Sequence, residues 1–188
     1  MGAKRKYLSD IASRKNRYDV KYNSEVINKI TKKLMVDGKY SIIYRFMCQS
    51  LEEVKNEYLN KNTDISTALA KEELTEQEVV SGMVDKIIQR VSPRVELVSK
   101  RQGGANVQLP VVVSEERSKL LGLNFLVNAI KSRGERTIHG KIKGEMLDII
   151  QDRGQSKAVV MMNNLLKQAR ANAVFSKHTT IRDEIKEV

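Results

Sequence analysis

Tryptophan is absent from this chain of 188 residues, and it holds one cysteine, two prolines and two histidines. Each shortage removes a class of protein. The lone thiol, Cys48, can form neither an internal disulfide nor a multi-cysteine metal site. It falls in an apolar helical pattern and reads as a small buried hydrophobe. His139, beside Gly140, and His178, in the terminal tail, read as surface residues; two scattered imidazoles do not build a catalytic or metal constellation. Aromatics are 5% of the chain, so the core is aliphatic and stacking platforms for bases are scarce. No apolar run approaches the roughly 20 residues that span a bilayer. The basic start, Met-Gly-Ala-Lys-Arg-Lys, lacks the apolar segment of a secretory signal.

Positive charge is abundant. The formal net charge is +11, a field that draws polyanions. Residues 1–33 hold ten Lys and Arg against three acids, residues 52–85 three against nine, and residues 86–157 fourteen against seven. That segregation implies a basic face and an acidic one, whereas purely solubilising charge is mixed. The adjacent pairs Glu52-Glu53 and Glu72-Glu73 do not face each other on a helix, so they read as a solvated acidic face and not as acid/base dyads. Gly103-Gly104 lacks the Gly-Lys-Ser/Thr ending of a phosphate-binding loop.

Apolar spacing predicts six helices. The first covers Ser24–Val36 with Gly38 as its stop, and the second Ser41–Tyr58. Residues 60–74 form a polar insertion. Thr75-Glu76-Gln77-Glu78 has capping-box form and opens the third helix, which Ser92-Pro93 ends. Ser114 caps the fourth, an unusually apolar helix expected at the centre through Leu120, Leu121, Leu123 and Leu126 and ended by Gly134. The fifth covers Ile138–Gln151. The sixth covers Lys157–Ala173 and buries Val159, Met162, Leu165, Leu166 and Ala169, with Met161-Met162 as core. Between the third and fourth helices, Val95–Ser99 and Val107–Val113 are rich in β-branched residues and flank Gly103–Asn106. They predict a protruding two-stranded ribbon at about 95–113. The fold class is mainly α: a basic arm (1–22), one helical domain (23–178) and a tail (179–188).

The basic groups sit where nucleic acid would meet them. Lys4, Arg5, Lys6, Arg14, Lys15 and Arg17 form an acid-poor arm that can thread along a polyanion. Such a start also fits a short organellar import signal, but its charges show no helical face. Lys100 and Arg101 flank the ribbon tip. Arg117 and Lys119 stand where the ribbon rejoins the body. Arg133, Arg136, Lys141 and Lys143 cluster around the start of the fifth helix, whose amides add to anion binding.

Four blocks resemble the universal small-subunit ribosomal protein seven family, in its bacterial or organellar form. They are YNSE (22–25) followed by LMVDGK (34–39), then VSPRVELVSKRQGGANVQLPV (91–111), AIKSRGERT (129–137) and ANAVF (171–175). The resemblance covers about residues 20–178. It implies a six-helix domain with a protruding ribbon that binds the 3′ major domain of small-subunit ribosomal RNA and organises the subunit head. The ribbon then lies near the exit-site transfer RNA and the messenger RNA exit path, beside neighbouring head and platform proteins. Matching positions make the arm, Lys39, Arg94, Lys100, Arg101 and the Arg133–Arg136 turn RNA contacts, and Gln102 and Asn106 join them within the second block. One departure is clear. The family usually has a Lys-Lys-Arg or Arg-Lys-Arg run entering the last helix, where this chain has the nearly uncharged SKAVVMMNN (156–164). Such drift suits an organellar ribosome, mitochondrion before plastid, with the bacterial cytoplasm as the alternative.

The sequence thus points to a non-enzymatic RNA-binding protein without cofactor, metal, small-molecule substrate or membrane partner. A helical DNA-binding architectural module is the rival reading, and an enzyme acting on nucleic acid a more distant one.

Overall fold

A computed structural model describes residues 18–61, 75–102, 104–152 and 154–175. Its helices are α1 (Glu25–Leu34), α2 (Tyr40–Lys61), α3 (Glu76–Val91), α4 (Glu115–Ser132), α5 (Ile138–Gln151) and α6 (Lys157–Asn172), followed by a 3-10 turn, Ala173–Phe175. An antiparallel ribbon of β1 (Val95–Gln102) and β2 (Ala105–Val112) separates α3 from α4. This is the expected fold class. The basic arm up to Arg17, most of the polar insertion with Glu72-Glu73, His178 and the tail lie outside the described residues. No described helix is long and apolar enough to cross a membrane. By their internal packing the described residues form two compact units, residues 18–86 with 134–144 and residues 87–133 with 145–175.

In the first unit, Ser24 caps α1 by accepting from the Ile27 amide, and α1 buries Ile27, Ile30, Thr31 and Leu34 at helical spacing. The helix stops at Met35, short of the expected Val36. The chain then turns through Asp37 and Gly38, both left-handed with φ 52° and 71°; glycine adopts that region without a Cβ penalty. Asp19 and Tyr22 are buried, and the Tyr22 amide donates to Asp19 Oδ2 at 2.7 Å. These residues therefore belong to the folded unit and not to the extension expected over 1–22. Their anchoring is by side chains, which helical periodicity does not register. Lys21 pairs with Glu52, and its amide donates to the Tyr44 hydroxyl. Helix α2 continues three residues past the expected Tyr58. At the head of α3 the capping box forms: the Glu78 amide donates to Thr75 Oγ1, and the Thr75 amide to Glu78 Oε2 at 2.8 Å. The Thr75 amide and hydroxyl, both donating to Glu78 Oε2, hold the Glu78 carboxyl below its ordinary range. Cys48 is half-buried where the sequence predicts full burial, and burial raises its thiol above the ordinary range.

In the second unit, α4 packs on α6, and α6 packs on both strands. Gly122, Leu123, Leu126, Val127, Ala129 and Ile130 form the buried face of α4. Leu120 stands 38% exposed, against expectation: it lies at the flank of the buried face, in the first half of α4, one turn before Leu123. Gly122 is required: a Cβ there would meet Ser92 Oγ at 2.6 Å and the Ile88 carbonyl oxygen at 3.2 Å. Ser114 occupies the N-cap but makes no side-chain cap bond, and α4 ends at Arg133, one residue before the expected Gly134. Ala158 and Ala169 are the fully buried residues of α6. Val159, Met161, Met162, Leu165 and Leu166 are half-buried where the sequence predicts core positions. Ala169 packs on Val95, with Leu97 and Ala173 beside them. A small residue at that contact lets the helix approach the ribbon and leaves longer side chains at the margins.

A buried carboxylate joins three elements of this unit. Glu145, on α5, is fully buried. Its Oε1 accepts from Ser156 Oγ at 2.8 Å and from the Ala158 amide at 2.9 Å, at the start of α6. Its Oε2 accepts from Arg133 Nη1 at 2.8 Å, at the end of α4. Asp148, one turn along α5, takes the same guanidinium nitrogen at 2.8 Å. The end of α5 is closed by Arg90, which donates to the Ile149 carbonyl at 2.6 Å.

Two substitutions test this arrangement by urea unfolding. Leu126→Ala should lose about 2–5 kcal/mol, since a cavity adds to the forfeited transfer energy, while Leu120→Ala at the partly exposed flank should lose about 1 kcal/mol or less. Glu145→Ala should lose about 3–5 kcal/mol, because it strips Arg133 of a buried partner. Equal effects at the two leucines, or a near-neutral Glu145→Ala, would contradict the assignment.

Candidate nucleic-acid interface

The ribbon is built by its register. Val95 pairs with Val112, Leu97 with Pro110, Ser99 with Gln108 and Arg101 with Asn106. Paired residues share a face, and successive residues alternate between faces. One face therefore carries Val95, Leu97 and Pro110 at its root, against α6, and the polar set Ser99, Arg101, Asn106 and Gln108 toward its tip. The other face carries Glu96, Val98 and Lys100 opposite Val111, Leu109 and Val107. Lys100 and Arg101 are both exposed and point to opposite sides. The strands run further toward the tip than the sequence suggests. Gln102 pairs with Ala105, which leaves a two-residue Gly103-Gly104 connection with Gly104 at φ 89°. That shape places Lys100 and Arg101 within β1 and not in the turn. The side chain of Gln102, and Gly103 itself, lie outside the described part of the structure.

The ribbon root is tied to the body. The Val113 amide donates to the Arg94 carbonyl at 3.1 Å, and Ser118 Oγ donates to the Pro93 carbonyl at 2.7 Å. Arg117 grips Glu96 with a two-pronged hydrogen bond, Nε to Oε2 at 2.9 Å and Nη2 to Oε1 at 2.6 Å. This contact lowers the Glu96 carboxyl below its ordinary range. Arg94 and Lys119 are exposed. Arg117 and Lys119, two positions apart, point to different sides of α4.

The turn between α4 and α5 differs from the uniform basic cluster expected there. Arg133 is 16% exposed, with its guanidinium held by Glu145 and Asp148. The half-buried Lys143 pairs with Glu53 at 2.6 Å, and the same carboxylate meets His139 Nε2 at 3.1 Å. The Lys143 contact lowers the Glu53 carboxyl and raises the Lys143 ammonium. Glu52 and Glu53 are thus engaged in ion pairs beyond the solvated face expected of them. His139 is half-buried and not simply a surface residue. Arg136 is exposed and Lys141 half-buried.

Lys39 is exposed at the residue before α2, where the turn through Asp37 and Gly38 delivers it to a helix N-terminus. Among the described residues, Lys39, Arg94, Lys100, Arg101, Lys119, Arg136 and Lys141 have no ion-pair partner. The structure therefore divides the candidates into outward cations and internally committed ones, a division that charge counting does not reveal. Lys4, Arg5, Lys6, Arg14, Lys15 and Arg17 lie outside the described residues. Sequence reasoning passes over Gln108, on the same face as Arg101. The alternation of β2 is the signal that places it there.

Comparison with known proteins points the same way. A family model described as Ribosomal protein S7p/S5e matches residues 4–173. Small ribosomal subunit protein uS7 of Halorhodospira halophila is 33% identical over 167 residues, covering 89% of this chain and 94% of that protein. Its counterpart in Alkalilimnicola ehrlichii is 34% identical over 167 residues with the same coverage. That of Rhodobacter capsulatus is 32% identical over 158 residues, 84% of this chain and 88% of the relative. These relatives are bacterial and lend no support to the mitochondrial expectation. Family model, relatives and fold agree, and the chain belongs to the ribosomal protein S7p/S5e family.

Proposed function

We propose that this protein is a structural constituent of the small ribosomal subunit that binds the 3′ major domain of its ribosomal RNA and helps organise the head. The observation that carries this reading is the ribbon. It lifts Lys100 and Arg101 away from the helices on opposite faces, with no carboxylate partner for either among the described residues. Arg94 adds an exposed cation in the second unit, and Lys39, Arg136 and Lys141 supply cations of the same sign in the first. Binding of this kind releases counterions from the phosphates. It fixes the position of folded RNA through backbone contacts and shape, since A-form helices offer little base readout in their deep groove. Neighbouring head and platform proteins are the other partners. A ribbon site near the exit-site transfer RNA and the messenger RNA exit path follows from the family resemblance.

A transcript of the 3′ major domain of small-subunit RNA, titrated with the full chain across a range of KCl, tests the reading. The double variant Lys100→Ala/Arg101→Ala should keep the wild-type unfolding midpoint. It should bind more weakly and reduce the slope of log affinity against log salt by about 1–2, roughly one for each phosphate left unneutralised. A salt-independent wild-type affinity would sink the RNA assignment. Equal competition by duplex DNA would favour the architectural DNA-binding alternative.

A further inference from the structure

Helix α6 leaves its apolar side unfinished. Ala158 and Ala169 are fully buried on that side, yet the longer Val159, Met161, Met162, Leu165 and Leu166 between them are all half-buried. At about 100° per residue, these positions fall on one side of the helix. The packing of α4 and the strands on α6 therefore closes over the alanines and leaves a strip of larger side chains partly in water. From Ala158 to Leu166 the helix holds no charged residue, so no long charged side chain can lie over the strip. Contiguous apolar surface of this kind marks a docking site. The charged residues of α6 are Lys157, Lys167 and Arg170, with no carboxylate among them. Lys167 is exposed and has no ion-pair partner among the described residues.

The sequence supplies a segment that fits. Thirteen residues follow Phe175, outside the described part of the structure. Ile181, Ile185 and Val188 recur at i, i+4 and i+7, the spacing of one helical stripe. Thr180 and Asp183 stand at capping-box spacing just before it. Asp183, Glu184 and Glu187 supply the carboxylates that α6 lacks. The five residues 176–180 match the length of a connection between antiparallel helices. Extended, that link reaches about 17 Å, and eight helical residues add about 12 Å. The path along α6 from Phe175 back to Met161 is about 21 Å, so the whole strip is within reach.

We propose that residues 181–188 fold back as a short helix and dock on this strip, with Ile181, Ile185 and Val188 set against Met161, Met162, Leu165 and Leu166. Unbranched methionines adapt to such a partner. The tether favours this occupant over a second copy of the chain, because a short link holds it at an effective concentration on the order of millimolar. Its acidic residues then run along a basic helix, beside Lys167. The docked segment closes the open side of the helix that carries the ribbon root, and it needs no RNA to do so.

The methionines of the full chain provide the test. Hydrogen peroxide converts an accessible thioether to the sulfoxide, and peptide mass spectrometry reads each site. Met35, half-buried in the first unit, is the reference, while the buried Met47, Met83 and Met146 report any loss of the fold. In the wild-type chain Met161 and Met162 should oxidise severalfold more slowly than Met35. Ile181→Asp/Ile185→Asp should abolish that protection and leave the three buried methionines protected. Should that variant fail to fold, Ile181→Ala/Ile185→Ala should still reduce it. Arg182→Ala/Lys186→Ala, on the polar side of the segment, should leave it unchanged. Amide exchange within residues 181–188 should be slowed in the wild-type chain. Met161 and Met162 oxidising as fast as Met35 in the wild-type chain would overturn the proposal. So would protection that survives both isoleucine variants, equal loss in the polar-side variant, or unprotected amides in the segment. Protection that appears only as protein concentration rises would assign the strip to a second copy and overturn the proposal as well.

Discussion

A carboxylate removed from water is tolerable only if its charge is met and its lone pairs are filled. Glu145 meets both conditions through Arg133, Ser156 Oγ and the Ala158 amide. Those partners come from the end of α4 and the start of α6, so one side chain fixes how three successive helices of the second unit are joined. Helix α6 is in turn the surface on which both strands rest, through Ala169 against Val95. The path from a buried charge to a displayed one is short: Glu145 places α6, α6 holds the ribbon root, and the ribbon carries Lys100 and Arg101 outward.

The same carboxylates decide which cations remain available. Arg133, Lys143 and Arg117 lie in the basic stretches of the sequence, yet each answers a carboxylate of its own fold. Their roles differ with exposure. Arg133 is nearly enclosed, so its pairing is obligatory. The Arg117–Glu96 and Lys143–Glu53 pairs are open to solvent, and such pairs contribute little stability, roughly 0–1 kcal/mol. Their value is positional, since they hold the ribbon root and α2 against neighbouring segments of their own units. Cations without such partners carry the residual field that a polyanion meets.

Much of this is legible in the chain because several signals agree at each point. The fifth helix is readable to the residue, Ile138–Gln151, from apolar spacing. Thr75 and Glu78 announce their own capping box, and the β-branched runs around Gly103-Gly104 announce the ribbon. What escapes depends on partners distant in sequence. Nothing local distinguishes Arg133 from Arg136, yet one is bound inside the fold and the other faces water. Leu120 and Leu123 are equally apolar, and only the angle around α4 separates them. Tyr22 and Asp19 are anchored by side-chain contacts that no periodicity records.

Register links stability to recognition in the ribbon. A two-stranded sheet alone is marginal in water, so its pairing must be pinned from outside. The Gln102–Ala105 pair closes one end of the ladder, and the packing of Val95 and Leu97 on α6 fixes the other. Pro110, opposite Leu97 on the buried side, has no N–H to leave unpaired there. A slip of one residue would turn Val95 and Leu97 toward water. It would also move Arg101 to the face now held by Lys100, away from Asn106 and Gln108. The apolar contacts that make the slip unfavourable are therefore the ones that keep the guanidinium among the amides of its own face. Which side of the ribbon presents which cation is decided at the root, by hydrophobic residues that touch no ligand.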